Sequence, residues 1–276
     1  MDPLPEKYDK RGEKEKILAA DVSNAYVSIG CIDKRGIYFT SRFATVSGKT
    51  EDEYAVDLHR TLEINGVPPE KLDGCIISSV VPPMNFTLSR ALEIVTGKKP
   101  LIIGPGVKTG LNIRIENPTQ LGSNLVVDAV AALDRYSAPM IVLDMGTSTT
   151  ASVINRAGQY IGGFISPGVR ISQEAGASGT AQLPRIGLEA PETVIGKNTV
   201  HCLQSGAVYG TAAMIDGMIA RIAEELGEEE SALNVIATGG ALERTITACC
   251  EHKILFDSDL VLHGLWLIWQ KNQKRA

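Results

Sequence analysis

The sequence predicts an α/β protein built as two similar lobes facing a cleft. Three observations carry that expectation. β-rich and helical segments alternate along the chain. A strand, an aspartate, a small-polar turn and a hairpin recur at nearly constant spacing. The 276 residues, 44% hydrophobic and 21% charged, suffice for one large domain or two medium ones with a sizeable core. Such a composition excludes a disordered chain, a collagen-like fibre and a disulfide mini-scaffold. A net charge of −5 argues against a nucleic-acid binder. The one skew is glycine, with 27 residues, against only 5% aromatics. Small residues in excess point to backbone-lined loops, which often hold phosphates.

The first ordered segment is the apolar run Ile17–Ala20, ending at Asp21. After Val22-Ser23-Asn24-Ala25 a second strand runs through Tyr26–Ile32. The turn Asp33-Lys34-Arg35-Gly36 leads into a third, Ile37–Phe43, and the pair reads as a hairpin. Downstream, Met140–Leu143 ends at Asp144, and Met145-Gly146-Thr147-Ser148-Thr149 follows. A strand through Ala151–Ile154, a turn at Asn155-Arg156-Ala157-Gly158 and a strand Tyr160–Ile165 complete the copy. Asp21 and Asp144 are 123 residues apart, and Gly36 and Gly158 are 122 apart. This is an internal duplication. Cys75–Val81 and Val235–Ala237 read as buried strands. Helical patterns cover Glu53–Leu62, Asn85–Val95, Leu125–Tyr136 and Thr199–Glu225. Gly206, Gly210 and Gly217 in the last lower helix propensity and imply close packing there.

Residues 1–16 carry five acids, five bases and two prolines, with no apolar core of a signal peptide. They read as a mobile charged tail. Residues 17–120 then form an N-terminal lobe and 121–276 a C-terminal lobe. No apolar run reaches the ~18 residues of a membrane span, and Leu260–Trp269 is too short. A cytoplasmic protein without nucleic-acid or membrane partners is expected. The five cysteines, at 31, 75, 202, 249 and 250, follow no disulfide or zinc spacing and read as buried thiols. His252, close to the last two, lacks the second ligand pair a zinc site needs.

The chemistry concentrates in three loops. Asp144 closes a strand, and Gly146 lets the following backbone turn tightly beside several N–H donors and hydroxyls. A carboxylate beside such a concavity can hold Mg²⁺. The plain alternative is a strand turn whose hydroxyls satisfy local backbone. The matching Asp21-Val22-Ser23-Asn24 loop favours phosphate binding, and Thr238-Gly239-Gly240 is a third candidate. A Walker A loop is excluded: the glycine required five residues before Gly196-Lys197 or Gly48-Lys49 is Pro191 or Phe43. Gly104-Pro105-Gly106-Val107-Lys108-Thr109-Gly110 has the wrong spacing for a dinucleotide fingerprint and reads as a substrate-side loop.

Eight islands in order make the chain resemble type III pantothenate kinases, of the actin, sugar-kinase and heat-shock ATPase superfamily. They are Ser78-Ser79-Val80-Val81-Pro82, Gly104 to Leu111, Asp144 to Thr149, and Gly162-Gly163 to Pro167-Gly168. The others are Thr180 to Arg185, Ile195 to Thr199, Gln204-Ser205-Gly206 and Ala237 to Gly240. The resemblance implies two ribonuclease-H-like (actin-like) lobes and a homodimer whose substrate pocket is completed across the interface near Thr180. It implies transfer of the γ-phosphoryl of ATP to pantothenate, the first step toward coenzyme A, with Mg²⁺ and a monovalent cation such as K⁺. Asp21 and Asp144 would serve the metal. Ser23, Asn24, Gly146, Thr147, Ser148, Thr149, Gly239 and Gly240 would serve ATP. Gly104, Gly106, Lys108, Thr109, Gly122 and Thr180 would serve the substrate.

The chain departs from the family at two places. The first loop, usually Asp-Ile-Gly-Asn-Thr, is Asp21-Val22-Ser23-Asn24-Ala25. The family's Gly-Ala-Asp-Arg, which supplies the base and the carboxylate anchor, is Gly122-Ser123-Asn124-Leu125. Asn124 cannot take a proton, though it can still hydrogen-bond the acceptor hydroxyl. Leu125 cannot pair with a carboxylate. Losing a base costs roughly 10²–10⁴-fold in rate. Asp128, four residues on and on the same helix face, is a substitute base or else a solvated helix acid. A pantothenate kinase impaired at its acceptor end is therefore expected. The alternatives are a non-catalytic nucleotide-binding regulator and a subunit completed by a sister chain.

Overall fold

The computed structural model describes residues 15–180 and 183–273. Most of the expected charged tail, and Ala181-Gln182 of the fifth island, lie outside the described residues. The first sheet comprises β1 (Ile17–Val22), β2 (Tyr26–Asp33), β3 (Gly36–Ala44), β4 (Gly74–Ser79) and β5 (Leu101–Ile102), in the order β3-β2-β1-β4-β5. β1 is antiparallel to β2 and parallel to β4. Helix α1 (Glu51–Ile64) follows β3, and α2 (Met84–Thr96) follows β4. α1 starts where the residues require: Thr50 accepts from the Glu53 N–H while Glu53 reaches back, and Tyr54, Leu58 and Leu62 recur on its buried face.

A short strand, β6 (Asn112–Ile113), leads to helix α3 (Ser123–Arg135). The second sheet comprises β7 (Met140–Met145), β8 (Ser148–Ile154), β9 (Gln159–Pro167), β10 (Asn234–Thr238) and β11 (Ile254–Phe256). Its order, β11-β10-β7-β8-β9, repeats the first sheet, with β6 added in parallel beside β9. The helices of this half are α4 (Val169–Gly179), α5 (Thr199–Leu226), α6 (Ala241–Thr247) and α7 (Leu260–Asn272). The duplication extends to fine detail. The hairpin register slips between Cys31 and Ile32 in one copy and between Val153 and Ile154 in the other. Those positions are equivalent under the same offset of 122 residues.

α3 lies between the two sheets. Its Val127 and Val130 join Ile17, Ala19 and Ile76 of the first sheet, together with Leu265, Trp266 and Trp269 of α7. Its Ala129, Ala131 and Ala132 pack on Met140, Val142 and Ile236 of the second. The C-terminal helix thus returns to cover the first sheet. Both cores meet on α3, so that helix sets the spacing of the two β-strand ends that carry aspartates.

Two expectations about these elements need correction. A side chain at Gly206 or Gly210 of α5 would meet open space, so those glycines do not mark close packing. Cys202 is exposed rather than buried, in the first turn of α5, although Cys31 and Cys75 are buried and all five are free. His252 takes part in a carboxylate clip, bonding Asp216 at 2.8 Å and Glu230 at 2.7 Å. Among the described residues no helix is long and apolar enough to cross a membrane.

Candidate active site

Asp21 and Asp144 are the penultimate residues of β1 and β7 and sit in the same place in the two copies of the fold. Asp21 stands opposite Ser78 in the parallel pairing, and Asp144 stands opposite Thr238. Both carboxylates therefore lie at strand carboxyl ends, where loops from two neighbouring strands converge. The Asp144 charge acts on Asp21. Burial pushes the Asp21 carboxyl up to about 7, and the Asp144 charge adds to that. A hydrogen bond from Ser78 and the Arg42 guanidinium act in the opposite direction. Asp144 is raised by burial and by Glu243, while a hydrogen bond from Asn124 opposes the shift.

The loops around these acids are held by their own hydrogen bonds. Gly146 N–H donates to the Ser148 carbonyl at 2.9 Å, and Gly168 N–H donates to the Thr147 carbonyl at 3.0 Å. A side chain on Gly168 would stand 2.2 Å from the Gly146 oxygen, so only glycine lets β9 brace this turn. Gly239, at φ 145°, is wedged between the Met145 carbonyl and the Glu243 side chain. Thr149 is buried, while Gly146 is exposed and Thr147 and Ser148 are partly so. In the first loop the Ser23 hydroxyl closes its own turn, donating to the Tyr26 carbonyl at 3.0 Å and accepting from the Tyr26 N–H at 3.1 Å. Asn24 is exposed at the tip.

The start of α3 ties the two halves together. Asn124 Nδ2 donates to Asp144 Oδ2 at 2.7 Å. A side chain on Gly122 would meet Asn124 Oδ1 at 2.8 Å, so the glycine leaves room for this amide. Ser123 Oγ donates to the Ser79 carbonyl at 2.9 Å and lies 3.2 Å from Ser78 Oγ. Asn124 is thus turned to Asp144, where the sequence led us to expect a contact with the acceptor hydroxyl. Asp128, one turn further, is not a solvated helix acid. It is 1% exposed, and neither carboxyl oxygen has a partner. Burial, then the charges of Asp144, Asp21 and Asp257, raise it well above the usual carboxylate range.

Similarity to known proteins decides the family. The family described as type III pantothenate kinase matches residues 17–221. The chain belongs to the type III pantothenate kinase family. A type III pantothenate kinase of Exiguobacterium sp. strain AT1b is 43% identical over 258 residues, covering 94% of this chain and all of the relative. Two solved structures share the two-lobed actin-like fold at low identity. A candidate 2-dehydro-3-deoxygalactonokinase from Sinorhizobium meliloti has a TM-score of 0.55 and 13% identity, covering 94% of this chain and 98% of its own. Component A of the Acidaminococcus fermentans (R)-2-hydroxyglutaryl-CoA dehydratase has a TM-score of 0.54 and 13% identity, covering 92% and 96%.

Within this pantothenate kinase family member, the structure gathers some of the residues singled out from sequence and separates others. Asp21, Asp144, Gly146, Thr147, Ser148, Thr149, Gly239, Gly240, Gly122 and Asn124 collect at the strand carboxyl ends. Gly104 follows Ile103, whose N–H bonds Ile77 beside Ser78, so it lies at that end too. Lys108 does not. Its backbone pairs with Asn272 at the end of α7, whose neighbours Trp269 and Gln273 border Gly74 at the opposite end of β4. Thr180 is exposed after α4, its hydroxyl on the Gly176 carbonyl. Sequence reasoning missed Ser78, Ser123, Glu243 and Asp257. Glu243, 8% exposed, bonds the Gly240 N–H at 3.0 Å. Its spacing three residues past a glycine cap was the available signal.

Kinases of this family use ATP with a divalent metal, and the residues here fit Mg²⁺. No group of three or more His, Cys, Asp or Glu that could hold a metal occurs among the described residues. Magnesium commonly takes only one or two carboxylates and completes its shell with water and phosphate oxygens. Asp21 and Asp144, the second of which raises the proton affinity of the first, are a pair of that number and kind.

Proposed function

We propose that this chain transfers the γ-phosphoryl group of ATP to the hydroxyl of pantothenate or a closely related small alcohol, at a rate lowered by its altered acceptor end. One observation carries the reading: Asp21 and Asp144 occupy matching strand ends, each beside a tight turn, close enough for the Asp144 charge to raise the proton affinity of Asp21. Gly146, Thr147, Ser148, Thr149, Gly239 and Gly240 would face the phosphates, with Asn24 at the tip of the first loop. Gly104, Gly106, Gly122 and Thr180 would face the acceptor, whereas Lys108 and Thr109 stand away from it, in a segment held beside Asn272 and Lys271 of α7. Magnesium, held by Asp21 and Asp144, would neutralise charge on the transferring group. The acceptor oxygen bonds the γ-phosphorus, the bond to the β–γ bridging oxygen breaks, and ADP departs with the electron pair.

The acceptor proton is the weak point. Asn124 spends its amide on Asp144 and takes no proton. Asp128 is buried too deeply for a bound alcohol to reach, so the proton passes to water. Leu125 leaves the pantothenate carboxylate without a cation. The missing base accounts for a loss of roughly 10²–10⁴-fold. The missing anchor adds about 2–5 kcal/mol if that carboxylate is buried. A monovalent cation, a cytoplasmic location and a dimer complete the reading by family resemblance.

A second reading is favoured by the exposed apolar side chains Ile165, Ile171, Val194, Ile195 and Val200, in segments flanking Thr180. In it the chain is a nucleotide-binding subunit whose acceptor pocket is completed by a sister chain. A coupled ADP-release assay with Mg·ATP and pantothenate, run alone and with such a sister, separates the two. Calorimetry with Mg·ATP showing no heat and no competition would sink both. Turnover at rates normal for the family by the chain alone would sink the impairment.

A further inference from the structure

We infer that Ser123 and Asn124 form a hydrogen-bonded bridge that fixes the two phosphate-side aspartates relative to one another, which makes them positioning residues for nucleotide rather than a degenerate acceptor site. The inference deepens the proposed kinase reading and rests on it for its functional half.

The bridge can be followed atom by atom. Ser78 stands directly opposite Asp21 in the parallel pairing of the first sheet. Its hydroxyl oxygen lies 3.2 Å from Ser123 Oγ. Ser123 Oγ also accepts from the Ser79 N–H at 3.0 Å and donates to the Ser79 carbonyl at 2.9 Å, which locks the first residue of α3 onto the end of β4. The next residue, Asn124, donates to Asp144 Oδ2 on the second sheet. Two consecutive residues therefore reach opposite lobes, one through a hydroxyl and one through an amide. Ser123 has one proton, so at any moment it serves either the Ser79 carbonyl or Ser78 Oγ.

Both members of the bridge stand where the sequence departs from the family pattern. The usual Ala-Asp pair has no hydroxyl at the first position and no donor at the second when ionised. Asp144 would then face a like charge rather than an amide. In this chain the amide hydrogen-bonds one carboxylate oxygen of Asp144. Hydrogen bonds to charged groups are about twice as strong as neutral ones, so the contact is worth having at this residue in particular.

The test uses the full chain and four variants: Ser123→Ala, Ser123→Thr, Asn124→Ala and Asn124→Asp. Mg·ADP affinity is read by calorimetry. In parallel, the Asn124 side-chain amide is followed by ¹⁵N–¹H spectra of the protein alone and of Asp144→Asn. Asn124→Ala should weaken Mg·ADP by roughly 10–100-fold, the worth of a hydrogen bond to a charged group, and Ser123→Ala, which loses bonds to neutral groups only, by roughly 3–10-fold. Ser123→Thr, which keeps the hydroxyl, should restore the affinity to within about threefold of the parent on the same scale. Asn124→Asp should bind no better than Asn124→Ala, although it recreates the family's residue. The Asn124 amide resonances should shift when Asp144 becomes asparagine. Wild-type affinity in Asn124→Asp, or an Asn124 amide indifferent to Asp144, would overturn the bridge. A parent protein that takes up no Mg·ADP would overturn the kinase reading instead, while the amide spectra would still decide whether the bridge exists.

Discussion

Replacing Asp21 by asparagine should stabilise the empty protein, increasingly so as the pH rises. An aspartate titrates at 3.8 when free, and Asp21 is raised to about 7 in the fold. Between those values the folded chain holds a proton the unfolded chain has released, so stability falls as pH rises and levels off above about 7. At ~1.36 kcal/mol per unit, the burden on the wild type is about 1.6 kcal/mol at pH 5 and about 4 kcal/mol at pH 8. These are upper figures, because Asp21 keeps some solvent contact. Asparagine removes the charge and still accepts from Ser78. The difference between mutant and parent should therefore grow by up to about 2.7 kcal/mol from pH 5 to pH 8. Urea unfolding without divalent cations, at half-unit steps of pH, measures it. Any packing change adds a constant, so the slope alone is diagnostic. Added Mg²⁺ should stabilise the parent at pH 8 far more than the mutant. A stability difference that stays flat with pH would refute the electrostatic reasoning.

Two further perturbations follow from the same structure. His252 is held between Asp216 and Glu230, and although burial alone lowers its proton affinity, those two carboxylates raise it overall. Its contribution is present below the unfolded value near 6.5 and is lost as pH rises through the folded one. His252→Gln should cost about 1 kcal/mol at pH 6, after allowing for solvent screening, and less at pH 8.5 by thermal unfolding. Gly168→Ala forces a methyl against the Gly146 and Thr147 oxygens and should displace the second phosphate loop, with loss of Mg·ADP heat. Gly206→Ala, which meets open space in α5, should instead raise stability by about 0.5–1 kcal/mol and leave that heat unchanged.

The duplication was legible because it is written in strong local signals. Apolar runs ending in aspartate, followed by turn residues, repeat at offsets of 122 and 123, and both sheets obey them. Elements with little sequence of their own were not legible. β5 and β6 are two residues each, and β6 exists only because β9 offers an open edge. The placement of α7 was hidden for another reason. Its apolar residues say that it is buried but not against which sheet, and it returns to the first. Lys108 was misjudged through its loop. Gly104 does stay beside Ser78, but four residues are enough to carry the chain down to Asn272.

Asn124 and Asp128 show what sequence reasoning can and cannot reach at such a site. A helix spacing of four residues correctly places both on one face of α3. It says nothing about depth. Because α3 is covered by both sheets, one turn takes the face from the cleft lip to the interior. Asn124 keeps a partner at the lip, while Asp128 is enclosed with three other acids and none of its hydrogen bonds made. An uncompensated buried carboxyl destabilises a fold, and proteins retain such groups chiefly at functional sites. The cost of Asp128 lies on the helix that spaces the two aspartates. Any cation brought between Asp21 and Asp144 would relieve all three acids together.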